Sequence, residues 1–353
     1  MHDHQLTNSK NVAIGRTQCI LAIVILPTTI LVLLGYIAYA FVGDELFLGH
    51  AGDNTASFVG ENETSVSSAD QDSSNEIEGL VNATTEMKIE THAETTTTTI
   101  EPTNVISTAY TASERVPHDT KSFTQGLSYG DDGFIYETTG LYGRSKLHKI
   151  DPNTFEVIKS IDIDRNFFGE GSTYYKDANG NGRLIFITWK EQTAFVYDPT
   201  TLARLQTLRY TTTPPWNQGW GITFDDGNSE FIMSDGTSTL FFMDRDTLQI
   251  QRKIVVTRFD GTEQDELNEL EMIDELICCN IWYKDEIICV DKRNGKSARE
   301  YDLAALYPKS ERGYYNVMNG IAVGEDHVLI TGKRWDRMYK IRFDDWNGIF
   351  AGK

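Results

Sequence analysis

The sequence predicts an all-β fold, a five-bladed β-propeller with four antiparallel strands per blade, and three observations predict it. The first is a repeat. Ile150-Asp151-Pro152-Asn153-Thr154-Phe155, Tyr197-Asp198-Pro199-Thr200-Thr201-Leu202, Met243-Asp244-Arg245-Asp246-Thr247-Leu248 and Val290-Asp291-Lys292-Arg293-Asn294-Gly295 share one pattern. Each is a strand ending in Asp, a turn, and a new strand such as Glu156 to Ile163 or Ile250 to Thr257. The aspartates recur at steps of 47, 46 and 47 residues. Asp suits the start of a turn because its side chain bonds backbone groups two residues on. The second observation is another series inside the repeat, Gln125-Gly126-Leu127, Glu170-Gly171-Ser172, Trp220-Gly221-Ile222, Glu269-Leu270-Glu271 and Asn319-Gly320-Ile321, each opening a blade's first strand. The third is at the chain ends. Residues 116–344 hold about five repeats, but the last, ending near Lys340 to Phe343, is one strand short. The segment near 104–112 can supply it, which pairs the two ends and removes exposed sheet edges. Helical periodicity is scarce; Asp302 to Tyr307 reads as a short turn of helix.

In an antiparallel hairpin the start of one strand and the end of the next lie on the same side. The second strands end at Thr139, Trp189, Asp235, Trp282 and Lys333. Together with Gln125, Glu170, Trp220, Glu269 and Asn319 they face one mouth of the ring. Three Trp on a partnerless polar rim would be wasteful exposure. Carboxylates, amides and a Lys among Trp and Phe suit a small pocket with a few directed polar groups.

The chain divides into five parts. Residues 1–18 form a cytosolic tail, 19–42 a transmembrane signal anchor, 43–103 an acidic Ser/Thr-rich stalk, 104–345 the propeller and 346–353 a C-terminal tail. From Cys19 to Val42 there are 24 uncharged residues, and about 20 suffice to span a bilayer. Lys10 and Arg16 precede the span, and Asp44 and Glu45 follow it, so the bulk of the chain faces the lumen or the cell exterior as a type II membrane protein. Ala38-Tyr39-Ala40 resembles a signal-peptidase site, and cleavage there would export the domain too. Residues 44–104 hold 13 acidic residues against the single basic Lys88, which supplies −12 of the net charge of −20. With few large apolar residues this stretch cannot offset ordering entropy and reads as a disordered spacer. Asn62 and Asn82 lie in glycosylation sequons, and Thr95 to Thr99 could carry O-glycans. An acidic chain without a basic stripe is no partner for nucleic acid. We expect a monomer.

Cys278, Cys279 and Cys289 fall on two adjacent strands; either a cross-strand disulfide or buried apolar thiols fits them, buried thiols being the simpler expectation. His118, His148 and His327 have no metal-ligand spacing. Asp177-Ala178-Asn179-Gly180-Asn181-Gly182 imitates the start of a calcium loop, but its twelfth position is Thr188, and an Asn-Gly hairpin turn explains it better.

Ten motifs in order, one or more in every blade, resemble the plant and bacterial type of glutaminyl-peptide cyclotransferase. They are Phe123-Thr124-Gln125-Gly126-Leu127, Thr139 to Ser145, Phe168-Gly169-Glu170-Gly171, Thr188-Trp189, Gly219-Trp220-Gly221, Ser234 to Ser238, Leu267 to Glu271, Asn280-Ile281-Trp282, Asn319 to Ala322 and Thr331-Gly332-Lys333. That family is five-bladed, in agreement with the repeat count. The resemblance implies Glu170 as catalytic acid and base, with Phe123, Gln125, Phe168, Trp189, Trp220, Asn268, Trp282 and Lys333 lining the pocket. The loop Thr211 to Gln218, with Pro214-Pro215-Trp216, looks longer than the family's usual connection and adds an aromatic near the mouth.

The implied reaction converts an N-terminal Gln of a peptide or protein to pyroglutamate and releases ammonia. One carboxylate can take the amine proton and return it to the leaving nitrogen, and aromatic surroundings would raise its pKa for that role. Lys333 or amide donors can stabilise the oxyanion. No cofactor is required, although a structural calcium in the channel is compatible with the pattern. Two alternatives remain: a non-catalytic peptide-binding propeller, and a calcium-dependent propeller lactonase or esterase in which Glu170, Asn268, Glu269 and Asn319 converge on an axial ion.

Overall fold

The computed structural model describes residues 105–346. The anchor at 19–42, the stalk with Asn62 and Asn82, and residues 347–353 of the C-terminal tail lie outside the described residues; Trp346, expected in that tail, is instead buried in the core against Phe343. Five four-stranded antiparallel sheets form the ring. Blade 1 is β2 (Thr124–Tyr129), β3 (Ile135–Thr139), β4 (Lys146–Ile150) and β5 (Val157–Asp162). Blade 2 is β6 (Gly169–Lys176), β7 (Gly182–Thr188), β8 (Thr193–Tyr197) and β9 (Arg204–Arg209). Blade 3 is β10 (Ile222–Asp225), β11 (Glu230–Met233), β12 (Thr239–Asp244) and β13 (Ile250–Val255). Blade 4 is β14 (Leu267–Ile273), β15 (Leu276–Ile281), β16 (Glu286–Asp291) and β17 (Ser297–Asp302). Blade 5 is β18 (Met318–Val323), β19 (Val328–Gly332) and β20 (Arg337–Phe343), completed by β1 (Tyr110–Pro117). The closing strand therefore comes from the N-terminal side as expected, but several residues later than the sequence suggested. Its register runs from Tyr110 opposite Phe343 to Pro117 opposite Arg337.

The core is divided as the ring requires. Each of five apolar clusters fills one interface between neighbouring blades, for example Leu147 of blade 1 with Phe186 of blade 2, and Val116, Leu127 and Leu329 where blade 5 meets blade 1. Inner strands such as β3, β8 and β15 are buried at every position, because both faces pack on a neighbouring blade. Outer strands such as β5 and β9 are largely exposed and mix polar residues with apolar ones.

The aspartate repeat sits on the face opposite the mouth. The Asp151 carboxylate accepts the Asn153 and Thr154 amides, and Asp198 and Asp244 do the same two and three residues on. The chain then bonds back, with Phe155, Leu202, Leu248 and Gly295 each donating to the Asp carbonyl four residues earlier. All four have a left-handed backbone, with φ from 54° to 75°, which Gly295 adopts without a Cβ clash. Asp177 caps the β6–β7 hairpin through the Asn179 and Asn181 amides, so the calcium-loop imitation is a hairpin turn. The helical turn expected at Asp302 to Tyr307 is an irregular turn, and a short 3-10 helix follows at Lys309–Glu311 behind Pro308. Cys278 and Cys289 face each other on β15 and β16 and form a disulfide, correcting the expectation of buried thiols, while Cys279 points to the other face, buried and free.

Candidate active site

Blades 2, 4 and 5 open with the same irregularity. Gly169, Leu267 and Met318 pair with their second strands, two residues follow out of register, and pairing resumes at Ser172, Leu270 and Ile321. The first of the two is Glu170, Asn268 or Asn319; the second is Gly171, Glu269 or Gly320. The corresponding pairs are Gln125 and Gly126 in blade 1, and Trp220 and Gly221 in blade 3. The ring of mouth residues is therefore Gln125, Glu170, Trp220, Asn268 and Asn319. Glu269 stands one place further on, where every other blade has glycine. In a strand one residue reverses the face, so this corrects the spacing read from the sequence. Glycine is required at these places because inner strands converge: a Cβ on Gly171 would lie 2.7 Å from the Ile222 nitrogen, and one on Gly221 would collide with the Asn268 carbonyl.

Glu269 uses its side chain where the others leave space. It is 1 % exposed and accepts the Leu127 amide of blade 1 at 3.2 Å and the Ile321 amide of blade 5 at 2.9 Å. Burial, and then the neighbouring Glu271, hold its pKa well above the ordinary carboxylate range. Glu269 braces the axis and does not line the mouth.

Glu170 is held by its backbone. The Glu170 carbonyl accepts the Thr138 hydroxyl at 2.8 Å, the Gly169 amide donates to Ser145 Oγ at 2.9 Å, and the Gly171 amide donates to the Trp220 carbonyl at 2.9 Å. Its carboxylate has no hydrogen-bond donor among the described residues. The side chain is 6 % exposed, and burial pushes its pKa well above the usual value, with Lys333 pulling down and Glu191 pushing up. Lys333, 5 % exposed, is pushed down to about 8 by burial, against the pull of Glu170. Burial thus displaces the carboxyl upward and the ammonium downward, the directions in which functional acids and bases are tuned.

Aromatic rings lie along the same mouth. The Lys333 ammonium lies 4.9 Å from the Phe123 ring centre. Phe123 meets Phe168 edge-on at 6.4 Å, Phe168 lies 5.5 Å from Trp189, and Trp220 meets Trp282 at 5.5 Å. The Asn319 amide donates to the Thr124 carbonyl at 3.0 Å and to Gln125 Oε1 at 3.2 Å. The amide oxygens of Asn268 and Asn319 are buried with no donor among the described residues. Of the residues expected in the pocket, Phe123 thus touches Phe168 and Lys333, Phe168 touches Trp189, and Trp220 touches Trp282. Asp235 stands at the mouth, but its carboxylate accepts the Thr213 and Thr237 amides and so fastens the Thr211 to Gln218 loop.

Two supporting groups escaped the sequence. Gln218 Oε1 accepts both indole N–H groups, from Trp189 at 2.6 Å and from Trp220 at 3.1 Å, which fixes one wall. Glu137 accepts the Ser122 and Thr124 hydroxyls at 3.0 and 2.7 Å, on either side of Phe123, and pairs with His118 at 2.9 Å. Burial opposes charge on both, but the pair outweighs it, lifting His118 and lowering Glu137. Among the described residues no group of three or more His, Cys, Asp or Glu side chains is placed to hold a metal.

Residues 81–343 match the sequence model of the glutamine cyclotransferase family. The chain is 36 % identical over 231 residues to a glutaminyl-peptide cyclotransferase of Arabidopsis thaliana, covering 64 % of this chain and 68 % of that protein. It also resembles the crystal structure of Myxococcus xanthus glutaminyl cyclase, with a TM-score of 0.57 and 26 % identity over 66 % of this chain and 95 % of that one.

Proposed function

The chain belongs to the glutamine cyclotransferase family and is an enzyme of that activity, and on that premise we propose that Glu170 moves the proton in its reaction. The substrate is a peptide or protein with N-terminal Gln. Its α-amine nitrogen attacks the side-chain carboxamide carbon, a five-membered lactam forms, the C–N bond to the amide nitrogen breaks, and ammonia leaves. Glu170 accepts the proton that the amine sheds and delivers it to the departing nitrogen, so it ends as it began. The Lys333 ammonium stabilises the oxyanion of the tetrahedral intermediate. The buried oxygens of Asn268 and Asn319 accept from the substrate's amine and carboxamide N–H groups, which would otherwise lose hydrogen bonds on leaving water. Phe123, Phe168, Trp189, Trp220 and Trp282 hold the Gln side chain folded and keep out water that would hydrolyse the amide.

One observation carries this reading: the carboxyl of Glu170 is buried at the mouth with no hydrogen-bond donor among the described residues, and the equally buried Lys333 is the charge that favours its ionised form. Ammonia release from a Gln-initiated peptide tests it, with an Asn-initiated peptide, whose ring would be one atom smaller, as control. A rate indistinguishable from buffer would reject the reading. The chemistry needs no cofactor. Because Glu269 is engaged by two backbone amides and Asn319 donates to Thr124 and Gln125, the axial-ion reading of a lactonase finds little support.

We further place the enzyme in the secretory route, as a monomer anchored through residues 19–42 with its propeller lumenal or extracellular. The Cys278–Cys289 disulfide fits an oxidising compartment. Protease protection of the propeller in intact microsomes, and a mass shift on N-glycosidase treatment from Asn62 and Asn82, check that placement.

A further inference from the structure

Among the described residues, large apolar side chains are mostly buried, yet a cluster of tyrosines on the mouth face is not. Tyr314 is 77 % exposed and Tyr315 43 %. They are not scattered. Trp220 meets Trp282 at 5.5 Å, Trp282 meets Tyr283 at 4.3 Å, Tyr283 meets Tyr314 at 5.9 Å and Tyr314 meets Tyr315 at 5.0 Å. A continuous file of rings thus leads from the pocket wall to open solvent. Its elements share the mouth side: Trp282 and Tyr283 form the β15–β16 turn, and Tyr314 and Tyr315 lie in the connection from β17 to β18.

The outer end of the file is also fixed. Arg312, two residues before Tyr314, donates to the Tyr307 carbonyl at 2.9 Å and to the Asn316 carbonyl, and pairs with Asp285. The Trp335 indole donates to the same Asn316 carbonyl at 2.8 Å, and Lys309 donates to the Tyr283 carbonyl at 3.1 Å. A free loop would fold its tyrosines onto the surface; this one is clamped on both sides of them. Rings held in place before a ligand arrives lose little freedom on binding, which is the condition under which exposed aromatics contribute affinity.

We propose that Tyr314 and Tyr315 form an extended subsite that grips the stretch of substrate following the N-terminal Gln, and that it selects peptides with aromatic side chains there. The proposal rests on the cyclotransferase reading, because that reading sets the Gln in the pocket and sends the rest of the peptide outward. The file of rings accommodates at most about six residues of extended chain. The ligand is therefore an unfolded peptide terminus and not a folded surface. A selective subsite of this kind acts on binding: it lowers KM and leaves kcat alone.

The test compares three substrates, the dipeptide Gln-Gly and the pentapeptides Gln-Gly-Phe-Phe-Gly and Gln-Gly-Ser-Ser-Gly. The parent should favour the Phe peptide over the Ser peptide by about 10-fold in kcat/KM, through KM, on the scale of one or two aromatic pairs. The double variant Tyr314→Ser/Tyr315→Ser should erase that preference while turning over Gln-Gly at the parent rate. A preference that survives the double substitution, or that the parent never shows, overturns the subsite; the patch would then serve a lipid surface or another protein. Failure of the parent on Gln-Gly itself would instead overturn the cyclotransferase reading, and this proposal with it.

Discussion

Blade 2 and blade 4 open with a glutamate each, one residue apart in register, and the two carboxyl groups have opposite surroundings. Glu170 takes the position whose side chain faces the mouth. Its backbone is held by Thr138, Ser145 and Trp220, and its carboxylate accepts no hydrogen bond among the described residues. Glu269 takes the position where the other blades have glycine, and it fills the axis by tying blade 1 to blade 5 through Leu127 and Ile321. Burial raises both pKa values. A raised pKa therefore does not tell the two apart; the supply of protein donors to the carboxylate does.

The comparison is broken most directly by making both residues glutamine. Glu170→Gln keeps volume and hydrogen bonding but cannot transfer the proton, and kcat should fall by about 10²–10⁴-fold. Its melting temperature should not fall. The folded-state pKa of Glu170 is raised, so its stabilising share is present below the unfolded value and is lost as pH rises through the folded one. Glutamine removes that loss, and at pH 8 the variant should melt at or above the parent. A parent-like kcat for Glu170→Gln would transfer the catalytic role to another carboxylate.

Glu269→Gln should show the reverse, with kcat within a few-fold of the parent and stability reduced. The new amide presents an NH₂ group to one of two buried amide donors. An unsatisfied buried donor costs about 1–3 kcal/mol, and each kcal/mol lowers Tm by roughly 2–4 °C in a domain of this size. Calorimetry of the two glutamine variants side by side would settle the assignment; an unchanged Tm for Glu269→Gln would remove its bracing role.

Lys333 sharpens the contrast, since it couples to Glu170. With a pKa of about 8, it loses its charge as pH rises through that value, and kcat/KM should decline along an alkaline limb near pH 8. Lys333→Arg keeps the charge at any accessible pH and should lift that limb out of range, even if the absolute rate drops. An unmoved limb would assign it elsewhere. The smallest effect is expected from chelators: phenanthroline and EDTA should leave the rate unchanged. Loss of rate with rescue by zinc would reject metal-free chemistry. Loss of Tm alone, with rescue by calcium, would identify a structural ion.

The blade count was legible in the sequence because the Asp turn is a local device: the side chain, the amides it caps and the left-handed residue after it all fall within five positions. The mouth was legible for the same reason wherever glycine followed the pocket residue, as after Gln125, Glu170, Trp220 and Asn319. Blade 4 lacks that glycine, and the two consecutive polar residues Asn268 and Glu269 left the register open by one. Only the strand pairing, Leu267 with Ile281 and Leu270 with Cys279, decides it. The roles of Gln218 and Glu137 depend on contacts with other segments, such as the Trp189 indole and His118, so no local pattern announces them. The disulfide likewise required knowing that Cys278 and Cys289 are directly opposite while Cys279 points away.

The last strand of blade 5 bears on how the protein is made. β1 leaves the ribosome early, but its partner β20 follows more than 200 residues later, as the bond between Ser113 and the Lys340 carbonyl spans 227 positions. Throughout synthesis of the four complete blades β1 has nothing to pair with, and an unpaired strand is a template for pairing with other chains. Its sequence tempers that hazard: between Tyr110 and Val116 it carries Thr111, Ser113, Glu114 and Arg115, all exposed in the finished ring. Glu114 later takes up Lys340 at 2.7 Å. A nascent chain halted before Arg337 would hold four sheets and a charged, waiting edge, and only release of the C-terminal segment would let the circle shut.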